Sequence, residues 1–85
     1  MRPVTFTPPA FRHGYTEEDF YSVLVGRYLK IRSQRGLDEV YELLGQNHEG
    51  AYLHIVYRTL NDGGLRIFHI ARMSEKQKRR YKRMK

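Results

Sequence analysis

The residues from Ala51 to Ala71 decide the fold, because they read as two β-strands joined by a tight turn. The first run, AYLHIVYRT, spans Ala51 to Thr59 and is rich in aromatic and β-branched residues. The second run, LRIFHIA, spans Leu65 to Ala71. Between them lies the sequence Asn61-Asp62-Gly63-Gly64, which is typical of a hairpin turn. These residues predict an antiparallel β-hairpin.

Three shorter segments before the hairpin also predict strands. Tyr28 to Arg32 is a short candidate that ends at the polar stretch Ser33 to Gly36, and Glu39 to Gly45 follows it. A turn through Asn47 to Gly50 then leads into the hairpin. Val4 to Thr7 is suited to a short edge strand, since the two prolines directly after it exclude a helix there.

Two helices are predicted, one on each side of this run of strands. Glu17 to Val25 begins after Thr16, a residue type that caps helices, and its acidic first turn suits the helix dipole. The second helix opens with the capping box Ser74-Glu75-Lys76-Gln77 and continues to about Met84. The order predicts one domain over residues 1–85 with an α+β fold. We expect a small antiparallel sheet of three to four strands with an N-terminal helix and a basic C-terminal helix.

Positive charge is concentrated at the C-terminal end of the chain. The formal net charge is +7, and seven of the 16 Lys and Arg residues lie between Ser74 and Lys85, beside a single acid. Such a one-ended charge run is typical of a segment that binds a polyanion or an acidic partner. The alternative is a solvated, frayed terminus. We favour a partner, because the second helix has few apolar residues with which to dock on its own core.

The composition excludes several classes of protein. The absence of Cys excludes disulfides and cysteine-ligated metal sites. No run approaches the roughly 20 apolar residues of a membrane span, and the first residues lack the apolar run of a signal peptide. There is also no glycine-rich phosphate loop, nucleophile elbow or cluster of metal ligands. We therefore expect a cytoplasmic protein that uses no metal or other cofactor.

Strand alternation gathers candidate site residues on one face of the hairpin. If the register brings the two polar rows together, this face carries Tyr52, His54, Arg58, Arg66 and Arg72. Arginine binds phosphate through paired hydrogen bonds, and tyrosine stacks on unpaired bases, so the face suits RNA. Metal-independent cleavage of RNA requires a base for the 2′-hydroxyl, a cation for the charged phosphorane and an acid for the leaving oxygen.

Four histidines are available for such proton transfers. His54 lies on this face, where a catalytic role competes with an ordinary place on a half-exposed strand. Alternation places His69 on the mostly apolar face, which favours a core or edge histidine. We interpret His13, beside Gly14, as a turn residue, and His48 as a surface residue of the turn between strands.

Three stretches follow one another in the order and spacing of a known family's motifs. They are Arg12 to Glu18 (RHGYTEE), Glu42 to Tyr57 (ELLGQ, then GAYLHIVY) and Arg66 to Ser74 (RIFHIARMS), the last followed by Gln77 and Tyr81. Together they resemble the motifs of BrnT-type toxins, which are RelE-like ribonucleases of bacterial type II toxin–antitoxin systems.

The resemblance implies a toxin that inhibits translation as a metal-independent endoribonuclease. It also implies a cognate ribbon-helix-helix antitoxin, which covers the toxin and binds operator DNA. Gln77 stands where the family has glutamate, and Ala51 stands where it has arginine. The alternative is a non-catalytic RNA-binding or adaptor domain with the same fold, in which Gln77 marks lost activity.

The residues and the resemblance together predict two sets of site residues. In the first set, the arginines hold phosphate, and either the histidine or the tyrosine moves the proton. The predicted catalytic residues are Arg66, Arg72, Tyr81, His54 and Arg58. The predicted RNA-binding residues are Tyr52, Lys76, Lys78, Arg79 and Arg80.

Overall fold

The chain folds into one mixed sheet with two α-helices, and the computed structural model describes residues 3–32 and 39–83. The elements are β1 (Val4–Phe6), a 3₁₀ turn (Pro8–Phe11), α1 (Glu17–Val25), β2 (Tyr28–Arg32), β3 (Val40–Gln46), β4 (Tyr52–Thr59), β5 (Leu65–Arg72) and α2 (Glu75–Lys82). The polar stretch expected to end β2 and the expected end of α2 at Met84 lie outside the described residues.

The strand order in the sheet is β1-β5-β4-β3-β2. Strands β2 to β5 are antiparallel neighbours, whereas β1 runs parallel to β5 at the edge. The predicted α+β fold, with an N-terminal and a C-terminal helix, is confirmed. The sheet is mixed and has five strands, because the short N-terminal segment joins it as an edge strand.

The turn between β4 and β5 is stabilised by the conformation of Gly63 and by local hydrogen bonds. Gly63 has a φ of 85°, in the left-handed region that glycine adopts without strain. The side chain of Asp62 accepts a hydrogen bond from the N–H of Gly64 at 2.8 Å. The N–H of Leu60 donates to the carbonyl of Gly64, also at 2.8 Å, which closes the hairpin. Local hydrogen bonding therefore sets the point at which the chain reverses.

Helix α1 lies on one face of the sheet and closes the main core. Phe20 and Val23 of the helix are fully buried, as are Ile55 of β4 and Ile70 of β5. Close approach of the helix to β3 depends on Gly45, because a Cβ atom there would lie 2.8 Å from Cγ1 of Val23. The apolar row predicted for β4 is confirmed in this core. Ile70 was expected on the opposite face of β5 and is instead buried here.

Asp19 anchors α1 to the turn between β3 and β4. Its carboxylate accepts hydrogen bonds from the N–H of Thr16 and from the side-chain amide of Asn47, both at 2.8 Å. Burial opposes ionisation of this carboxyl. The hydrogen bonds from Thr16 and Asn47, with a smaller contribution from His48, outweigh burial and hold the pKa of Asp19 below 3.8.

Helix α2 covers part of the opposite face of the sheet. Tyr81 of this helix, Met73 just before it and Leu44 of β3 form a second, smaller core. Because α2 spans only eight residues, it cannot cover a five-stranded sheet, and polar side chains of β3, β4 and β5 stand beside it. None of the helices formed by the described residues is long and apolar enough to cross a membrane.

A β-bulge in the hairpin determines which side chains share this second face. Val56 pairs with His69 and Tyr57 pairs with Ile67, so Phe68 has no partner on β4. One extra residue reverses the alternation beyond it. As a result, Ile70 lies opposite Ile55 in the main core, while His69 turns to the face of the sheet that carries His54.

Candidate functional site

Four titratable side chains come together on the face of the sheet opposite α1. We call them the histidine cluster: Glu42 on β3, His54 on β4, His69 on β5, and His13 in the segment before α1. The ring centroids of His54 and His69 are 5.3 Å apart, and those of His13 and His69 are 5.5 Å apart. His69 therefore lies between the two other rings and makes the cluster continuous.

Glu42 and His54 form the closest polar contact of the cluster. Nε2 of His54 lies 2.6 Å from Oε1 of Glu42, and their side chains are 15% and 25% exposed. An ionised carboxylate accepts hydrogen bonds only, so Nε2 is the donor in this contact when Glu42 is ionised. This contact orients the ring, and the carboxylate balances the positive charge of His54 when the ring is protonated.

The surroundings of His69 disfavour a positive charge, unlike the carboxylate beside His54. Burial lowers its pKa below 6.5, and the neighbouring His54 and His13 rings lower it further, while Glu42 partly offsets them. His69 is therefore neutral near pH 7 and has a lone pair with which to accept a proton. The cluster thus contains two adjacent histidines with different surroundings, which is the arrangement that acid–base catalysis requires.

The path of the chain after β1 explains the position of His13. Strand β1 pairs only with the first three residues of β5. The 3₁₀ turn that follows lies against β5, and the N–H of Gly14 bonds to the carbonyl of Phe11 at 3.1 Å. His13 is therefore held in a turn, as predicted, but this turn places its exposed ring against His69.

Arg58 and Arg66 occupy the same face, farther along the hairpin. They are register partners on β4 and β5, and both are exposed. Like charges directly opposite each other destabilise a sheet, so this pair does not serve folding. At the usual rise of a strand, Arg58 lies about 13 Å from His54. The two arginines thus form an exposed, positively charged pair beside the histidine cluster rather than at its centre.

The expectation that Arg72 shares a row with His54 is wrong, because the bulge at Phe68 reverses the second half of β5. The register partner of Arg72 is Leu53, a buried residue of the main core, whereas Ala71 is the partner of His54. The exposed side chain of Arg72 instead borders a hollow of about 220 Å³ that is also lined by Tyr52 and Lys78.

Tyr81 is a structural residue in the described fold. It is 8% exposed, and its hydroxyl donates a hydrogen bond to the carbonyl of Arg27 at 2.9 Å. This bond attaches α2 to the segment between α1 and β2. The described contacts of Tyr81 are with Arg27 and Tyr52 rather than with the histidine cluster, and its predicted role in proton transfer stays a prediction.

The predicted RNA-binding residues separate into two groups. Lys76, Arg79 and Arg80 are exposed on α2. The Nζ atom of Lys78 lies 5.1 Å from the ring centroid of Tyr52, and Nζ of Lys82 lies 5.3 Å from it. These cation–π contacts join α2 to the sheet, as does the edge-on contact of the Tyr81 ring with the same tyrosine. Lys76, Arg79 and Arg80, together with the exposed Lys82, form the accessible positive surface of the helix.

The capping box at the start of α2 is confirmed and accounts for Gln77. The N–H of Ser74 donates to Oε1 of Gln77 at 2.8 Å, and the N–H of Gln77 donates to the hydroxyl of Ser74 at 3.1 Å. Glutamate and glutamine both perform this role. Gln77 is therefore a capping residue in this chain.

A larger hollow adjoins the cluster at its α2 side. Its volume is about 500 Å³, and its walls include Val25 of α1, Gln46 of β3 and Lys82 of α2. Tyr52 also lines it and precedes His54 by two residues on the same row of β4. Tyr52 therefore connects this hollow to the row of β4 that carries His54.

Comparisons of this chain with protein-family models, curated proteins and solved structures found no match. Within residues 3–32 and 39–83, no three or more His, Cys, Asp or Glu side chains form a group with metal-binding geometry. The site is therefore interpreted from its own residues.

Sequence reasoning named His54, Arg58 and Arg66 on the face that the structure describes. It missed Glu42, His69 and His13 as members of the cluster. The sequence does show several histidines in or near predicted strands, which could have suggested a cluster. The assumption of unbroken alternation instead placed His69 on the opposite face from His54.

Proposed function

We propose that this chain is a metal-independent endoribonuclease and that the histidine cluster is its catalytic site. The main support is the His54–His69 pair, in which one ring contacts a carboxylate and the other is held neutral. Two adjacent histidines with different surroundings can supply the acid and the base of RNA cleavage without a metal. The arginine pair and the exposed cations of α2 supply attraction for a polyanion.

We further propose that the enzyme acts in the cytoplasm as the toxin of a type II toxin–antitoxin pair. Support for this role comes from the sequence resemblance to BrnT-type toxins. Its partners are then RNA and a ribbon-helix-helix antitoxin, which connects the complex to operator DNA. Cleavage of RNA that is being translated would inhibit protein synthesis.

A non-catalytic RNA-binding or adaptor domain is the second candidate, and Tyr81 is the observation that favours it. The resemblance places this residue in the catalytic site, yet its hydroxyl is used in a structural hydrogen bond. An adaptor would retain the exposed cations of α2. It would bind RNA with a steep dependence on salt concentration and leave the RNA intact.

One incubation distinguishes the two candidates. The purified chain is mixed with end-labelled RNA in EDTA, beside a variant with both His54→Ala and His69→Ala. His48→Gln is the matched control, since His48 is an exposed histidine outside the cluster. We expect cleavage by the wild type and the control but not by the double variant. Binding without cleavage by all three would establish the adaptor.

The toxin role needs a test in cells. Induced expression of the wild type in a bacterial host should stop growth, and the double histidine variant should not. Co-expression of a ribbon-helix-helix protein encoded beside this chain should restore growth. Normal growth with intact RNA after induction of the wild type would contradict the toxin role, even if the purified enzyme cleaves RNA.

A further inference from the structure

We infer a division of labour within the histidine cluster, which rests on the proposed ribonuclease function. His69 is the general base that removes the proton of the 2′-hydroxyl, His54 is the general acid that protonates the 5′-oxygen, and Glu42 positions and charge-balances His54. Glu42 was not expected at the site from the sequence, and the sequence left the choice of acid or base open among His54, His69 and Tyr81.

The base must be neutral before the reaction, and the surroundings of His69 meet this condition. Its ring is partly buried on the sheet, with His54 on one side and His13 on the other. Two neighbouring rings that can become cations oppose a third positive charge between them. The bulge at Phe68 is what places this ring next to His54.

The acid must be protonated before the reaction, and His54 is the ring with an adjacent negative charge. Glu42 lies 2.6 Å from its Nε2 atom. The same contact occupies Nε2 and fixes the ring plane, so in this assignment the proton for the leaving oxygen comes from Nδ1. His13 has no comparable carboxylate contact among those described, which makes His54 the better acid of the two rings beside His69.

The chemical step balances with these two residues alone. The 2′-oxygen forms a bond to phosphorus while the bond from phosphorus to the 5′-oxygen breaks. The 2′-hydroxyl proton passes to His69, and a proton from His54 passes to the departing 5′-oxygen. The products are a 2′,3′-cyclic phosphate and a 5′-hydroxyl end. Exchange of protons with water then restores both rings, and no metal or other co-reactant is consumed.

A change of leaving group tests the assignment. The bond that the wild type cleaves in an RNA oligonucleotide is first mapped. The same oligonucleotide is then made with sulfur in place of the 5′-bridging oxygen at that bond. A thiolate leaves without protonation, so the sulfur substrate removes the need for an acid but retains the need for a base.

We expect His54→Ala and His69→Ala each to slow cleavage of the normal bond by about 10²–10⁴-fold. On the sulfur substrate, His54→Ala should recover to within about tenfold of the wild type, whereas His69→Ala should stay slow. Glutamine variants at both positions, with circular dichroism spectra, guard against loss of the fold.

Each other pattern has a definite meaning. Recovery of His69→Ala, or of His13→Ala in place of His54→Ala, would overturn the assignment of acid and base while leaving the ribonuclease intact. If no histidine variant recovers on the sulfur substrate, the assignment of acid and base is overturned as well, and the ribonuclease function stands. Failure of the wild type to cleave either substrate would reject the proposed function and this inference with it.

The positioning role of Glu42 has its own readout. On β4, His54 is in contact with Glu42 of β3 and with His69 of β5. His69 is also in contact with His13. Glu42→Gln retains a hydrogen-bond acceptor but removes the charge. We expect this change to slow cleavage of the normal substrate and to leave cleavage of the sulfur substrate close to that of the wild type. An equal loss on both substrates, or no loss on the normal substrate, would overturn the role.

Discussion

The two faces of the sheet differ in what their side chains are used for. The α1 face is closed by fully buried apolar residues, and its buried carboxylate, Asp19, is held by hydrogen bonds from both neighbouring segments. The α2 face is only partly covered, and it carries a ring pair, a carboxylate and two facing arginines. The first face stabilises the fold, whereas the second contains contacts that stability alone does not favour.

Interactions that reduce the stability of the fold are concentrated on the α2 face. Within the described residues, no buried side-chain nitrogen or oxygen lacks a hydrogen-bond partner. Even so, like charges at Arg58 and Arg66 face each other, and three imidazole rings lie in one row. Unfavourable charge proximity on a satisfied scaffold is typical of functional sites. Substitutions should therefore affect stability on one face and activity on the other.

The largest expected loss of stability comes from Ile55→Ala. This side chain is fully buried in the main core, so its truncation should lower the free energy of unfolding by about 2–5 kcal/mol. Urea denaturation measures the change. The comparison is His54→Ala on the same strand, for which we expect about 1 kcal/mol or less, with cleavage lost. Equal destabilisation by the two variants would contradict the division between the faces.

Asp19→Ala should be the next most damaging change. It removes the N3 half of the capping box that Asp19 forms with Thr16, which is worth about 1 kcal/mol. It also leaves the amide of the buried Asn47 without its acceptor, which costs about 1–3 kcal/mol. Thermal unfolding would report the loss. Glu17→Ala is the matched control, since this exposed first-turn acid should contribute only about 0.3–1 kcal/mol through the helix dipole. Similar losses for both would show that the Asp19–Asn47 link is unimportant.

Gly45→Ala tests how closely α1 approaches the sheet. The added Cβ would lie 2.8 Å from Cγ1 of Val23 and 3.3 Å from Cβ of Tyr28. Both neighbours must shift, at a cost of about 1–3 kcal/mol. Gly26→Ala is a suitable control, because its nearest contact would be an ordinary 3.6 Å. We expect a lower urea midpoint for the first variant than for the second.

Arg66→Ala should separate stability from binding on the α2 face. Removing one of two facing like charges should raise the urea midpoint slightly. The same change removes a phosphate contact, so the slope of log binding constant against log salt concentration for single-stranded RNA should fall by about 0.7. Since the arginine pair is displaced from the cluster, the cleavage rate at saturating RNA should change less than in either histidine variant. A loss as large as theirs would place Arg66 at the scissile phosphate.

The smallest expected effect is the pH dependence that His69 gives to stability. Its pKa is lowered in the folded chain, where it faces His54, His13 and Glu42, so the unfolded chain binds its proton more readily. The contribution is fully present above pH 6.5 and declines as the pH falls from there through the lowered pKa. In the His69→Gln variant, the free energy of unfolding should depend less on pH within that window. The separate decline from Asp19 should remain, since it begins only near pH 3.8 and below.

Much of the fold was predictable because it depends on local chemistry. The bounds of α1 and β2 were predicted as observed, since a cap, an acidic first turn and Gly26 mark the helix. The hairpin turn and the capping box of α2 were also predicted. Each of these features depends on residues within a few positions of one another, where backbone preference and side-chain hydrogen bonds act directly.

The candidate site was predictable only in part. His54, Arg58 and Arg66 were placed on one face because unbroken alternation holds along β4 and the first half of β5. The prediction failed at Arg72 and missed His69, since both follow Phe68. No local signal marked this residue as the extra one.

By itself, the sequence determined the order of the elements, the apolar row of β4 and the concentration of positive charge near the C-terminus. The tertiary structure decided that Glu42, His54, His69 and His13, which lie far apart in the chain, meet on one face. The physical reason is burial: the core must take both Ile67 and Ile70. Two residues three positions apart face the same side of a strand only if one residue between them bulges, and that bulge turns His69 towards His54.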